Sequence, residues 1–146
     1  MRFLNSLQPL GLLVLRVALG AIFLTHGYPK LTHSGTHMQD MFVQHGLPAQ
    51  FAYVAGVLET FGGLLLMLGL FTRAAALLLA VEMSVAIVKV HGVHGVMALH
   101  EYEFPLALGC ACLALATVGA GLASVDHFIF AEGGSTRRRS PKTSRE

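Results

Sequence analysis

Residues 51–90 read FAYVAGVLETFGGLLLMLGLFTRAAALLLAVEMSVAIVKV, and only Glu59, Arg73, Glu82 and Lys89 bring charge into the stretch. It divides at Thr72-Arg73 into two apolar runs, about 51–71 around Glu59 and about 74–90 around Glu82. Each has the length an α-helix needs to cross about 30 Å of hydrocarbon at about 1.5 Å per residue. A link of two residues folds the runs back on each other as a tight helical hairpin. Outward from it lie two more such runs. One covers about 10–27 and is broken only by Arg16; the other covers about 105–122 and carries no charge.

Composition agrees with a membrane solvent. Of 146 residues, 54% are hydrophobic and 12% charged, about half the charged share of a soluble domain. One domain of this length cannot hide four apolar helices from water. The expected architecture is therefore all-α: an integral membrane four-helix bundle, up-down-up-down, occupying 1–130. Residues 131–146, rich in Gly, Ser and Arg, are expected to form a disordered basic tail. Arg16 and the continued apolar run to Leu24 argue for a retained span rather than a cleaved signal peptide.

Orientation follows from flanking basic residues. Arg2, Arg73, Arg137, Arg138, Arg139, Lys142 and Arg145 fall on one side, against Lys30 and Lys89 on the other. The larger group should be cytoplasmic, which puts both ends inside and 33–50 and 91–104 outside. Both outer segments are too rich in Gly, His and Pro to be expected as regular helices. The basic residues concentrate in the tail, so nothing points to nucleic-acid binding.

Arg16, Glu59 and Glu82 stand where charge is costly, about 2.5–3.5 kcal/mol each at mid-membrane. Counted from the cytoplasmic ends of their runs they lie about 9, 18 and 12 Å deep, so one guanidinium is expected to bridge both carboxylates. Helical spacing supports the pairing. Arg16, Gly20, Phe23, Gly27 and Lys30 share a stripe, as do Gly56, Glu59, Gly63, Leu66 and Leu70, and as do Ala75, Leu78, Glu82 and Lys89. Two readings stand. The trio is a structural clasp, or its second carboxylate exchanges a proton during a redox or transport step.

The outer end holds a second candidate cluster, His26, Lys30, His91 and Glu101, with His33, His37, His94, His100 and Glu103 nearby. Such groups can face solvent as polar loop ends, hold a quinone headgroup or relay protons. None of their spacings matches a metal site, so no metal is expected. Cys110 and Cys112 point to nearly opposite sides of a helix and are expected to be inert. On the fourth run, Pro105, Gly109, Cys112, Ala116 and Gly119 form a face of small residues suited to close packing in lipid.

Taken in order, these residues resemble a known family. Arg16-Val-Ala-Leu-Gly20, Phe23, His26-Gly27 and Lys30-Leu31 are followed by Glu59-Thr-Phe-Gly62-Gly63, Leu66 and Gly69-Leu70-Phe71-Thr72-Arg73-Ala74-Ala75. His91 and Gly119-Ala-Gly121-Leu-Ala-Ser124-Val-Asp126 close the series. Over about 8–126 the chain is similar to the DoxX family of small bacterial four-helix membrane proteins. The resemblance implies a place in the bacterial cytoplasmic membrane and a redox setting, since related proteins are linked to quinone-dependent sulfur oxidation and oxidative-stress complexes. It also implies that Arg16, His26, Lys30, Glu59, Arg73 in the cytoplasmic hairpin, and Glu82 matter most.

The chain has no CxxC, haem-attachment motif or nucleotide-binding loop, so electron transfer would need a bound quinone or a partner redox subunit. The leading expectation is a membrane subunit of a quinone-linked complex in contact with lipid, able to form a homo-oligomer. A scaffold for a soluble enzyme and a small proton-coupled transporter are the alternatives.

Overall fold

The computed structural model describes residues 2–32, 35–91 and 99–131, with side chains over 6–32, 37–89 and 102–129. The expected basic tail beyond residue 131, His33 and His94 lie outside the described residues. Within them all regular secondary structure is helical: α1 Arg2–Leu31, α2 Gly35–Gln44, α3 Gln50–Leu68, α4 Thr72–Ala86, α5 Leu99–Val118 and α6 Val125–Ala131. A π-helical turn, Ile87–His91, extends α4.

Several boundaries differ from expectation, each for a local reason. Helix α3 stops at Leu68 because Gly69 adopts a left-handed conformation, φ 70°, which turns the chain and ends the helix. Helix α5 starts earlier, at Leu99, and ends at Val118, where Gly119 (φ 91°) and Gly121 (φ 76°) stop it. Residues 35–44, expected to be irregular, form α2. There Met38 and Phe42 lie one turn apart and are both partly covered, before Gly46 (φ 72°) breaks the helix. The short α6 is also unexpected; seven residues give too little periodicity to read from sequence.

Packing runs α1 on α3, α3 beside α4 through the hairpin, and α4 on α5. Helices α1 and α3 are antiparallel, since Gly20 meets Gly63 while Gly27, further along α1, meets Thr60. The core between the helices contains Leu19, Phe23, Leu66, Ala76, Leu79, Cys112 and Leu115. The outer face is apolar as well: Val14 and Phe61 are 59% exposed and Leu78 55%, while Arg16 and Glu59 are buried. Apolar side chains outside and charges inside suit lipid rather than water. Two helical segments, Ser6–Leu31 and Gln50–Leu68, are long and apolar enough to cross a membrane; Tyr102–Val118 is a shorter apolar helix.

The α1–α3 contact depends on missing side chains. A Cβ on Gly27 would lie 2.6 Å from the Thr60 backbone nitrogen and 2.7 Å from the Glu59 Cβ. Gly27→Ala should therefore cost about 1–3 kcal/mol through overpacking. Gly11, with nothing within 4 Å, should gain slightly as Ala, because Gly weakens a helix interior. Thermal unfolding in detergent checks the pair, and equal stabilities for the two variants would remove the close approach.

Candidate functional site

The buried polar residues form two groups, one at the middle of α1 beside the α3–α4 hairpin and one toward the C-terminal end of α1. At the hairpin end, Arg16 is 1% exposed, and its Nη2 donates to the Ala123 carbonyl. Its guanidinium fills the space that a Cβ on Gly69 would occupy, beside Ser124. Asp126 lies on the same seam. Its carboxylate accepts from the Phe71 N–H at 2.7 Å and the Thr72 N–H at 2.9 Å, and its own N–H donates to the Gly69 carbonyl at 2.8 Å. A carboxylate on the first N–H groups of α4 neutralises the positive end of that helix. Residues 119–126 are thus fastened across the α3–α4 hairpin, with Arg16 beneath them.

This corrects the expected Arg16–Glu59–Glu82 trio: Arg16 reaches neither carboxylate. It lies level with Gly69, whereas Glu59 lies level with Gly27, eleven residues or about 16 Å further along α1. The expectation starts α1 near residue 10 and ends α3 at residue 71, whereas α1 begins at Arg2 and α3 ends at Leu68. The register of the packed pair instead sets Arg16 against the very end of α3.

At the other end the cation is Lys30. Its Nζ lies 2.5 Å from Glu59 Oε2, with the two side chains 15% and 6% exposed. Lys30, Glu59 and Glu82 share the wall of a cavity of about 300 Å³, otherwise lined by apolar side chains including Phe42, Phe51 and Leu78. Both Glu82 carboxyl oxygens are buried without a hydrogen-bond partner. Such an orphaned group is costly unless something else satisfies it. Glu59 also borders a second cavity of about 230 Å³ with His26, Phe104 and Pro105. His26 stacks on Phe104 at 5.7 Å, and its Nδ1 lies 2.8 Å from the Ile22 carbonyl.

The structure therefore joins residues that the sequence reading kept apart. Lys30 and His26, assigned to the outer cluster, stand beside Glu59 and Glu82, assigned to the buried axis. His91 lies in the π turn and Glu101 in α5, but their side chains lie outside the described ones. Arg73 is exposed at the start of α4, and its Nη2 donates to the Val118 carbonyl at 3.4 Å. Cys110 is exposed and Cys112 buried. Among the described residues no three His, Cys, Asp or Glu side chains gather as a metal site would require. In the sequence Asp126 carries no assigned role. Its partners are 54 and 55 residues away, so no local motif marks it as a cap.

Comparison with known proteins sets this arrangement in context. Residues 11–92 match the DoxX family model. The chain belongs to the DoxX family. It is 35% identical over 127 residues to a Bacillus subtilis protein named "Putative oxidoreductase CatD", covering 87% of this chain and 92% of that one. It is 29% identical over 132 residues to "Inner membrane protein YqjF" of Escherichia coli, covering 86% and 97%. It is 36% identical over 89 residues to "Uncharacterized membrane protein Rv3486" of Mycobacterium tuberculosis, covering 60% and 55%. No solved structure matches. In this DoxX membrane protein the matched region includes Arg16, Lys30, Glu59 and Glu82 and stops short of Ala123 and Asp126.

Proposed function

We propose that this DoxX protein is the membrane subunit of a quinone-linked redox complex, crossing the bacterial cytoplasmic membrane four times with both ends inside. The basic-residue asymmetry supports the topology, and the antiparallel packing is compatible with it. The observation that carries the redox reading is Glu82, whose two carboxyl oxygens lack partners on the wall of an apolar cavity shared with the Lys30–Glu59 pair. A quinone headgroup fits that donor set, being flat and apolar with oxygens that accept hydrogen bonds. When bound, it would supply two-electron, two-proton chemistry. The chain's own residues would do the rest: Phe42, Phe51 and Leu78 exclude water, Lys30 donates a hydrogen bond, and Glu82 holds or gives a proton at its carboxyl. Electrons would come from a partner subunit. The name of the Bacillus subtilis relative agrees with a redox setting.

Quinone extracted from the purified protein tests this. The parent should retain it, and Glu82→Leu should lower the retained amount about tenfold, the effect of losing about 1.5 kcal/mol of hydrogen bonding to an ionisable group. Equal retention by a folded Glu82→Leu protein would exclude this cavity, and no quinone in either would remove the reading. Glu59 borders both cavities, which also favours proton-coupled transport; proton flux in proteoliposomes without any quinone would select that alternative.

A further inference from the structure

A larger cavity lies at the hairpin end. It is an open groove of about 870 Å³ between the first turns of α1, the start of α4 and residues 118–127. That volume is in the range that holds a drug-sized ligand, about 300–1,000 Å³. We infer that this groove binds the phosphodiester headgroup of an anionic phospholipid, with Arg73 as its phosphate ligand.

Three observations carry this. The first is depth: the apolar stretch of α3 ends at Leu68, so the groove lies where hydrocarbon gives way to headgroups. Phe71 and Leu122 in its wall are 56% and 61% exposed, as apolar groups facing lipid are. The second is charge. Asp126 also lines the groove, but both of its carboxylate oxygens are engaged by the Phe71 and Thr72 N–H groups. Arg73 makes one long hydrogen bond, 3.4 Å to the Val118 carbonyl. A guanidinium has five N–H donors in a planar fork, so most remain for a bidentate contact with phosphate. The third is the wall, where Pro9, Leu12, Ala74 and Val118 offer apolar surface beside the cation. Free phosphate gains nothing from that surface; the glycerol and upper acyl carbons of a lipid do.

Native mass spectrometry of the full chain, titrated with phosphatidylglycerol or phosphatidylcholine, tests the site. The parent should prefer phosphatidylglycerol. Arg73→Gln should weaken that binding about fivefold, the effect of one basic residue at a lipid surface, and weaken phosphatidylcholine, whose choline cation offsets the same phosphate, by less. Arg73→Lys should retain part of the preference. Preference kept in Arg73→Gln but lost on deleting 132–146 would assign it to the basic tail and overturn the proposal. So would full displacement of the lipid by millimolar inorganic phosphate. A photoreactive phosphatidylglycerol on the unaltered protein needs no variant: it should label residues 8–12 or 118–127, and labelling confined to other segments would also overturn the site.

Discussion

Arg16→Leu is expected to loosen residues 119–131 from the hairpin while leaving the Lys30–Glu59 end intact. The substitution removes the donor to the Ala123 carbonyl and empties the space against Gly69. Losing a hydrogen bond from a charged donor to that part-buried carbonyl costs about 1.5–3 kcal/mol. Two further Arg16 nitrogens, Nε and Nη1, have no partner, so relief of their desolvation offsets part of the loss. A net destabilisation of about 1–2 kcal/mol remains, read as a lower unfolding temperature and faster amide exchange over 119–131. Gly69→Ala should do similar damage, because its Cβ would overlap the guanidinium and its φ is 70°. The two changes act on one space, so the double variant should be less damaged than the sum, with a coupling of about 0.5–3 kcal/mol. Additive losses would detach Arg16 from Gly69. Rescue of Arg16→Leu by Glu59→Leu with Glu82→Leu would instead restore the single buried trio.

The sequence determines the buried faces of these helices more directly than their relative heights. Faces of α1 and α3 were legible. Arg16, Gly20, Phe23 and Gly27 are all buried, as are Gly56, Glu59, Gly63 and Leu66, because polar and glycine residues break the apolar background at helical spacing. On α4 the same method is one step off. The packed face is Ala75, Ala76, Leu79, Ala80 and Met83, while Leu78, placed on the inner stripe, is 55% exposed. In lipid a leucine has no preferred side, and small residues mark the contact instead.

Position along the axis was not legible. It depends on which residues of antiparallel neighbours come level, and Gly27 against Thr60 shows this only once the helices are packed. Hence Lys30 rather than Arg16 became the partner of Glu59. The Asp126 cap was hidden for a related reason: it acts on a helix whose start lies 54 residues earlier, so its meaning is tertiary.

The largest stability effect is expected at the Lys30–Glu59 pair. Lys30→Met keeps the length of the side chain and removes its charge, leaving Glu59, 6% exposed, beside a Glu82 that already lacks partners. Breaking a buried pair from one side typically costs about 3–5 kcal/mol, whereas replacing both members with neutral groups is often nearly free. Lys30→Met with Glu59→Gln should therefore recover most of the stability lost by Lys30→Met alone, measured by unfolding in detergent. Stability of Lys30→Met equal to that of the parent would remove the pair. The rescued double variant then separates structure from chemistry. If it folds and still retains quinone at the parent's level, the pair only braces α1 against α3. If it folds and loses the quinone, the Lys30–Glu59 pair orients the headgroup, and the cavity beside Glu82 is where it binds.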